Sequence, residues 1–210
     1  MCEFKFVSKN EYIKYKGIIN EIISFTQKEL KNKFTFNYQF VGPCTKNMVT
    51  KCEEKYIGYD FNVRIIINNN DLEAEDVKFM VMKSLNIYLN QYGYDKCIDD
   101  QKGIDIYLTD PNYLVLKHNL FIEIRRNNLD KVQYIYKQPN GNYCWHKETS
   151  GALSLNDKYN LLTECGLKEF IKYQYIKRRN AEPTKKSIVV FEECIAAIYH
   201  EFYDNDRSFL

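Results

Sequence analysis

Only 4 prolines and 8 glycines interrupt the 210 residues, and Trp145 is the single tryptophan. So few chain breakers exclude a collagen-like or linker-rich polypeptide. An excess of one charge is also missing: 30 Lys and Arg stand against 28 Asp and Glu, a net +2. That balance argues against a strongly basic nucleic-acid protein but leaves room for a local basic patch. No apolar run reaches the roughly 18 residues of a membrane-spanning helix. The opening "MCEFKFVSKNEY" has no apolar h-region, so neither a secretory signal nor a membrane partner is expected. The cysteines, Cys2, Cys44, Cys52, Cys97, Cys144, Cys165 and Cys194, are odd in number, widely spaced and without a CxxC pair. Neither zinc nor a disulfide framework is expected from them, and reduced thiols in the cytoplasm are the plain reading. His118, His146 and His200 are too scattered to form a ligand set.

What is abundant is core material. The chain is 45% hydrophobic, with 18 Tyr and 13 Phe, far more than a disordered chain carries. Its length suits one domain, or one domain with a small appended lobe. Ser8 and Glu11 form a capping-box pattern, and Ile18, Ile19, Ile22, Ile23 and Leu30 follow at helical spacing, which predicts a helix over 9–32. "FTFNYQFVG" alternates as a half-buried strand, and Pro43 suits the first turn of a short helix over 43–50. "YDFNVRIII" reads as a strand, followed by an amphipathic helix capped at Asp71 or a neighbour and running to about Tyr92. "GIDIYLTD" and "NLFIEIRR" alternate as strands, and "KVQYIYKQPNGNYCWHKE" reads as a hairpin turning at Pro139-Asn140-Gly141.

Beyond about residue 152 the pattern becomes helical, with segments over 156–165, 167–179 and 187–203, a C-cap at Gly166 and "NAEPTKK" as a loop. The order is not regular βαβ alternation. It predicts an α+β fold: a mixed or antiparallel sheet with helices on one face over 1–151, then a C-terminal helical lobe over 152–210.

The stretch from Phe40 to Asn68 carries the candidate site. A strand runs into Val41-Gly42, a polar insert follows, and a second strand opens with Asp60-Phe61-Asn62. Residues i and i+2 of a strand share a face, so Asp60 and Asn62 point together while Phe61 and Val63 face the core. This layout resembles the nucleotidyltransferase superfamily in its polymerase-beta-like minimal form. Its signature is hydrophobic-Gly-Ser, a gap, then Asp-hydrophobic-Asp/Glu, with a third acid on a later strand.

The resemblance covers about residues 10 to 126 and implies transfer of a nucleoside monophosphate from NTP, with Mg²⁺ held by the carboxylates. It implies metal-holding and catalytic roles for Asp60, Asn62 and Glu123, and nucleotide-binding roles for Gly42, Pro43, Thr45, Lys46 and Lys172. Two positions depart from the pattern. Pro43 stands where the serine belongs and has neither hydroxyl nor backbone N–H. Asn62 offers a neutral oxygen where Mg²⁺ prefers a charged one. In the third position, one strand register places Phe121 and a two-residue slip places Glu123, with Asp105 on the preceding strand as a weaker candidate.

Three outcomes stand open. A degenerate site would bind nucleotide, RNA or a protein partner as a regulator or inhibitor. An active Mg²⁺-dependent transferase would move NMP to an RNA, protein or small-molecule acceptor. A pure interaction protein is the third class. Lys168, Lys172 and Arg179 fall near one helical face of the lobe, where a solvated surface is the ordinary reading. Arg125 and Arg126 add positive charge beside the third strand. Cys44 follows Gly-Pro at a helix start, a position that lowers a thiol pKa.

Overall fold

The computed structural model describes residues 3–55, 57–68, 71–110, 113–128, 131–147 and 153–204. Helix α1 (Lys9–Leu30) starts at the expected capping box, with Ser8 and Glu11 exchanging bonds. Strand β2 (Phe36–Val41) leads through the 3₁₀ turn Gly42–Thr45. Strand β4 (Ile57–Ile67), helix α2 (Ala74–Gln91), and strands β5 (Ile98–Asp99), β6 (Gly103–Asp110), β7 (Tyr113–Asn128), β8 (Lys131–Lys137) and β9 (Tyr143–Lys147) complete the core. Two short strands, β1 (Lys5–Phe6) and β3 (Thr50–Lys51), pair antiparallel as a separate ribbon.

The main sheet runs β2-β4-β7-β6-β5, with β8 on β7 and β9 on β8. Among the described residues only β4 and β7 pair in parallel. This is the mixed α+β sheet that the element order predicts. Its period-2 burial assigns the two faces. Phe61, Val63 and Ile65 of β4, Ile122 and Ile124 of β7, and Ile104 and Ile106 of β6 are buried with Ile19, Ile22 and Ile23 of α1 and Val77, Val81 and Leu85 of α2 in one core. Asp60, Asn62 and Arg64, Asn119, Phe121 and Glu123, and Gly103 and Asp105 therefore share the opposite face.

The lobe consists of α3 (Leu155–Glu164), α4 (Lys168–Ala181) and α5 (Ser187–Tyr199), followed by a π turn over His200–Asp204. It has its own core of Tyr159, Leu162, Ile171, Tyr175, Phe191 and Ile195, to which Met48 contributes. Arg179 does not lie on a solvated face. It is 2% exposed, stacks on Phe4 at 4.1 Å and donates to the Lys185 carbonyl.

Other details differ from expectation. The helix over 43–50 shrinks to the turn Gly42–Thr45, because Asn47 adopts φ 56° and the next residues extend to form β3. The α2 cap, expected at Asp71 or a neighbour, falls two residues on, at Glu73. Cys44, Cys97, Cys144, Cys165 and Cys194 are free thiols, whereas Cys52, buried beside Phe4, is disulfide-bonded and corrects the all-reduced reading. Among the described residues no helix is long and apolar enough to cross a membrane.

Candidate functional site

Strand pairing fixes the site's rows. Val41 lies opposite Asn62, which brings the Gly42 turn beside the acid strand. Asp60 lies opposite Asn119, Asn62 opposite Phe121, and Arg64 opposite Glu123. On the other side of β7, Asp105 of β6 pairs with Phe121 and Gly103 with Glu123. The structure thus brings Asp60 and Asn62 together and seats Phe121 next to them, with Glu123 one pair farther along. Gly103 is required by close approach, since a Cβ there would collide with the Ile122 carbonyl and the Phe121 ring.

The N-terminus of α5 fills the space above this row. Asp60, 8% exposed, accepts from Asn119 Nδ2 at 3.2 Å and from the Ser187 backbone N–H at 3.0 Å. A carboxylate at a helix start satisfies an orphan N–H and complements the macrodipole, so Asp60 caps α5 from across the fold. Asn62, 1% exposed, donates from Nδ2 to Ser187 Oγ at 3.3 Å. Lys186 precedes that cap. Its ammonium lies 3.0 Å from Asp105 and 3.0 Å from Asp100, and 3.9 Å from the Phe121 ring centroid. Burial pushes the Asp105 carboxyl above its ordinary pKa; the Lys186 hydrogen bond opposes that, and the nearby Asp100 and Asp60 reinforce it.

Glu123 is held elsewhere. It accepts from Arg64 Nε at 2.8 Å and from Arg125 Nε at 2.8 Å and Nη2 at 3.0 Å. Burial opposes its ionisation, but Arg125 and Arg64 outweigh burial and hold its carboxyl below the usual range.

The Gly42 turn is filled as well. Gly42 adopts φ 70°, and a Cβ there would strike Ile188 of α5. Pro43 is buried and its carbonyl accepts from the N–H groups of Lys46 and Met48, each at 3.0 Å. Thr45 Oγ1 turns back to the Gly42 carbonyl at 2.8 Å. Lys46 donates to Asn156 at 2.8 Å over the Tyr159 ring at 4.4 Å, and burial lowers its pKa. Lys172 pairs with Glu169 at 2.8 Å. Cys44 corrects the expectation of an activated thiol: burial raises its pKa, and its Sγ bonds the Val41 carbonyl at 3.3 Å. Gly42→Ala is expected to destabilise by at least about 1–2 kcal/mol, the penalty of a left-handed non-glycine residue. A lowered midpoint in thermal unfolding checks this.

Two cavities flank α5. One, of about 510 Å³, is bordered by Lys102, Phe121, Arg125, Tyr134, His146 and Lys186. The other, of about 700 Å³, is bordered by Gly42, Thr45, Lys46, Asn156 and Tyr159. Ile188 and Glu192 border both. Tyr134 and His146 are cross-strand partners with rings 5.3 Å apart.

The residues present do not fit a divalent metal. Asp60 has both oxygens engaged, Asn62 is neutral, Phe121 occupies the neighbouring place on β7, and Glu123 is bound by two guanidinium groups. Among the described residues no cluster of three His, Cys, Asp or Glu side chains is placed to hold a metal ion.

Sequence reasoning counts Lys186 only among the lobe's basic residues and gives Ser187 no role. Their one signal is a polar Thr-Lys-Lys-Ser run directly before the apolar stripe of α5. It sets His118 aside as a metal ligand, and in the fold that ring stacks on Tyr59, lies tilted against Tyr15 with ring centroids 4.0 Å apart, and accepts the Tyr59 N–H at 2.8 Å.

No protein-family model matches the chain, and no curated protein matches it. Solved structures do. The Vibrio cholerae cyclic AMP-GMP synthase DncV, described as a prokaryotic cGAS homolog, superposes with TM-score 0.60 at 9% identity, over 83% of this chain and 61% of that one. DncV in complex with the linear intermediate 5' pppA(3',5')pG gives TM-score 0.59 at 8% identity, over 95% and 75%. Its 3'-deoxy ATP bound form gives 0.56 at 14% identity, over 89% and 51%. The chain therefore spans between about half and three quarters of the length of these DncV chains. At such identities the likeness carries the fold alone, and that fold is the polymerase-beta-like nucleotidyltransferase fold.

Proposed function

We propose that the chain binds a nucleoside phosphate without transferring it, and acts through that binding as a regulator or inhibitor of a nucleotide, RNA or protein partner. The observation that carries this reading is the fate of the acid strand. Asp60 caps α5, Asn62 bonds Ser187, and neither has an acidic neighbour on β7. Transfer by this fold needs free carboxylates to hold two metals about 3.5–4 Å apart, and among the described residues Asp60 is engaged by α5 and Glu123 by Arg64 and Arg125.

Binding is supported separately. The 510 Å³ cavity falls within the roughly 300–1,000 Å³ of small-molecule sites. Its borders combine the cations Lys102, Arg125, Lys147 and Lys186 with the rings of Phe121, Tyr134 and His146. Cations suit phosphates, and ring faces suit bases. DncV, of the same fold, holds GTP and 3'-deoxy ATP in solved structures.

The test is incubation with each labelled NTP, Mg²⁺ or Mn²⁺ and total RNA, beside thermal unfolding with the same nucleotides. The expected result is a raised melting temperature and no label on any acceptor. Label transfer that disappears in Asp60→Ala would establish an active transferase instead. Neither transfer nor a thermal shift would leave an interaction protein.

A further inference from the structure

We infer that Lys186 is a built-in cation in the place of the divalent metal, so that the cleft takes its nucleoside phosphate without metal. This inference rests on the nucleotide-binding reading above and specifies its chemistry.

In this fold the acid strand and its parallel neighbour on β7 frame the centre. Here an ammonium group sits beside that frame, over Phe121 of β7 and against Asp105 of β6. Lys186 Nζ lies 3.0 Å from a carboxylate oxygen of Asp105 and 3.0 Å from one of Asp100, and 3.9 Å from the Phe121 centroid, so it has charge partners and a cation–π contact. The next residue adds a second source of positive potential. The Ser187 N–H opens a 13-residue helix and bonds Asp60 at 3.0 Å. Each carboxylate on this face is thereby matched within the chain: Asp60 by α5, Asp105 by Lys186, and Glu123 by Arg64 and Arg125. A magnesium ion gives up its hydration water reluctantly, and only for well-placed charged oxygens. None of these carboxylates is left for it.

The arrangement is nevertheless built for a ligand. Asn62 Oδ1 and Asp105 Oδ1 flank Phe121, are buried and have no hydrogen-bond partner among the described residues. Buried acceptors without donors are costly, and Asn62 borders the 510 Å³ cavity, where a ribose hydroxyl would satisfy its oxygen. The same cavity presents Lys102 and Lys147 toward a phosphate chain.

The experiment is calorimetric titration of the full chain with ATP and with GTP, once in EDTA and once in millimolar Mg²⁺. The expected dissociation constants agree within about twofold, and Mg²⁺ alone leaves the melting temperature unchanged. Lys186→Met is expected to weaken binding in EDTA by about tenfold or more, and to make the melting temperature respond to Mg²⁺ as the freed carboxylates recruit it. Lys186→Arg retains most of the affinity. Wild-type binding that tightens about tenfold or more with Mg²⁺ overturns the inference and leaves the nucleotide reading standing. Absence of binding in both buffers overturns both. If Lys186→Met does not fold, the wild-type comparison and Lys186→Arg decide the matter.

Discussion

Asp99→Ala is expected to cost about 3–5 kcal/mol of stability, the range found when one partner of a buried ion pair is removed. The reason is Lys78 of α2, whose side chain is fully buried. Its ammonium reaches Asp99 at 2.5 Å and the Asp100 carbonyl at 2.5 Å. Asp99 also accepts from Lys137 at 2.6 Å and Tyr143 at 2.5 Å. Without Asp99 the buried Lys78 charge loses its ion-pair partner and keeps only the weaker attraction of Asp100, and burial already pulls its pKa down. Lys78→Met, which replaces the ammonium with an apolar chain of similar size, should cost much less. The difference between the two denaturation midpoints is the measurement.

The same carboxyl sets an acid limb. Burial alone would raise it, but hydrogen bonds from Lys137, Lys78 and Tyr143 together bring it to about 2. A folded pKa below the unfolded value of about 3.9 gives stability that is complete above that value and is lost as pH falls toward 2. The contribution is about 2 kcal/mol. Unfolding curves between pH 5 and 2 should therefore fall less steeply in Asp99→Asn than in the wild type.

Glu123→Ala is the second large effect, about 2–4 kcal/mol, because it leaves two guanidinium groups side by side in a half-buried cleft. The loss should be the same with and without Mg²⁺. A metal ligand would behave otherwise: its removal would abolish a Mg²⁺-dependent stabilisation present in the wild type. Thermal unfolding of both proteins with Mg²⁺ and with EDTA separates the two roles.

The architecture was legible because period-2 and helical patterns are strong in this chain. The faces of β4 and β7 follow from Phe61, Val63 and Ile65 and from Ile122 and Ile124, which alternate with polar residues. Alternation also fixes that Phe121 and Glu123 share a face, but it carries no register. Pairing of Asn62 with Phe121 depends on where β4 meets β7, which is a tertiary fact. The same limit hid Lys186 and Ser187. They lie more than a hundred residues from Asp60 in the chain, and only the docking of α5 brings them to it. The buried ion pair of Lys78 was hidden for another reason: a lysine in an amphipathic helix reads as solvent-facing until β5 and β9 cover it.

The bond between Asp60 and Ser187 spans 127 residues of chain. Closing so long a loop carries an entropic cost that is recovered only after both ends are structured. The central strand and the last helix therefore complete one another, and neither reaches its native hydrogen bonding alone. A chain cut before α5 would expose Asn62 and Asp60 to water and strip Met48 of its packing partners. Sheet and lobe should accordingly melt in one transition, and the helix that closes the site also makes the molecule a single cooperative unit.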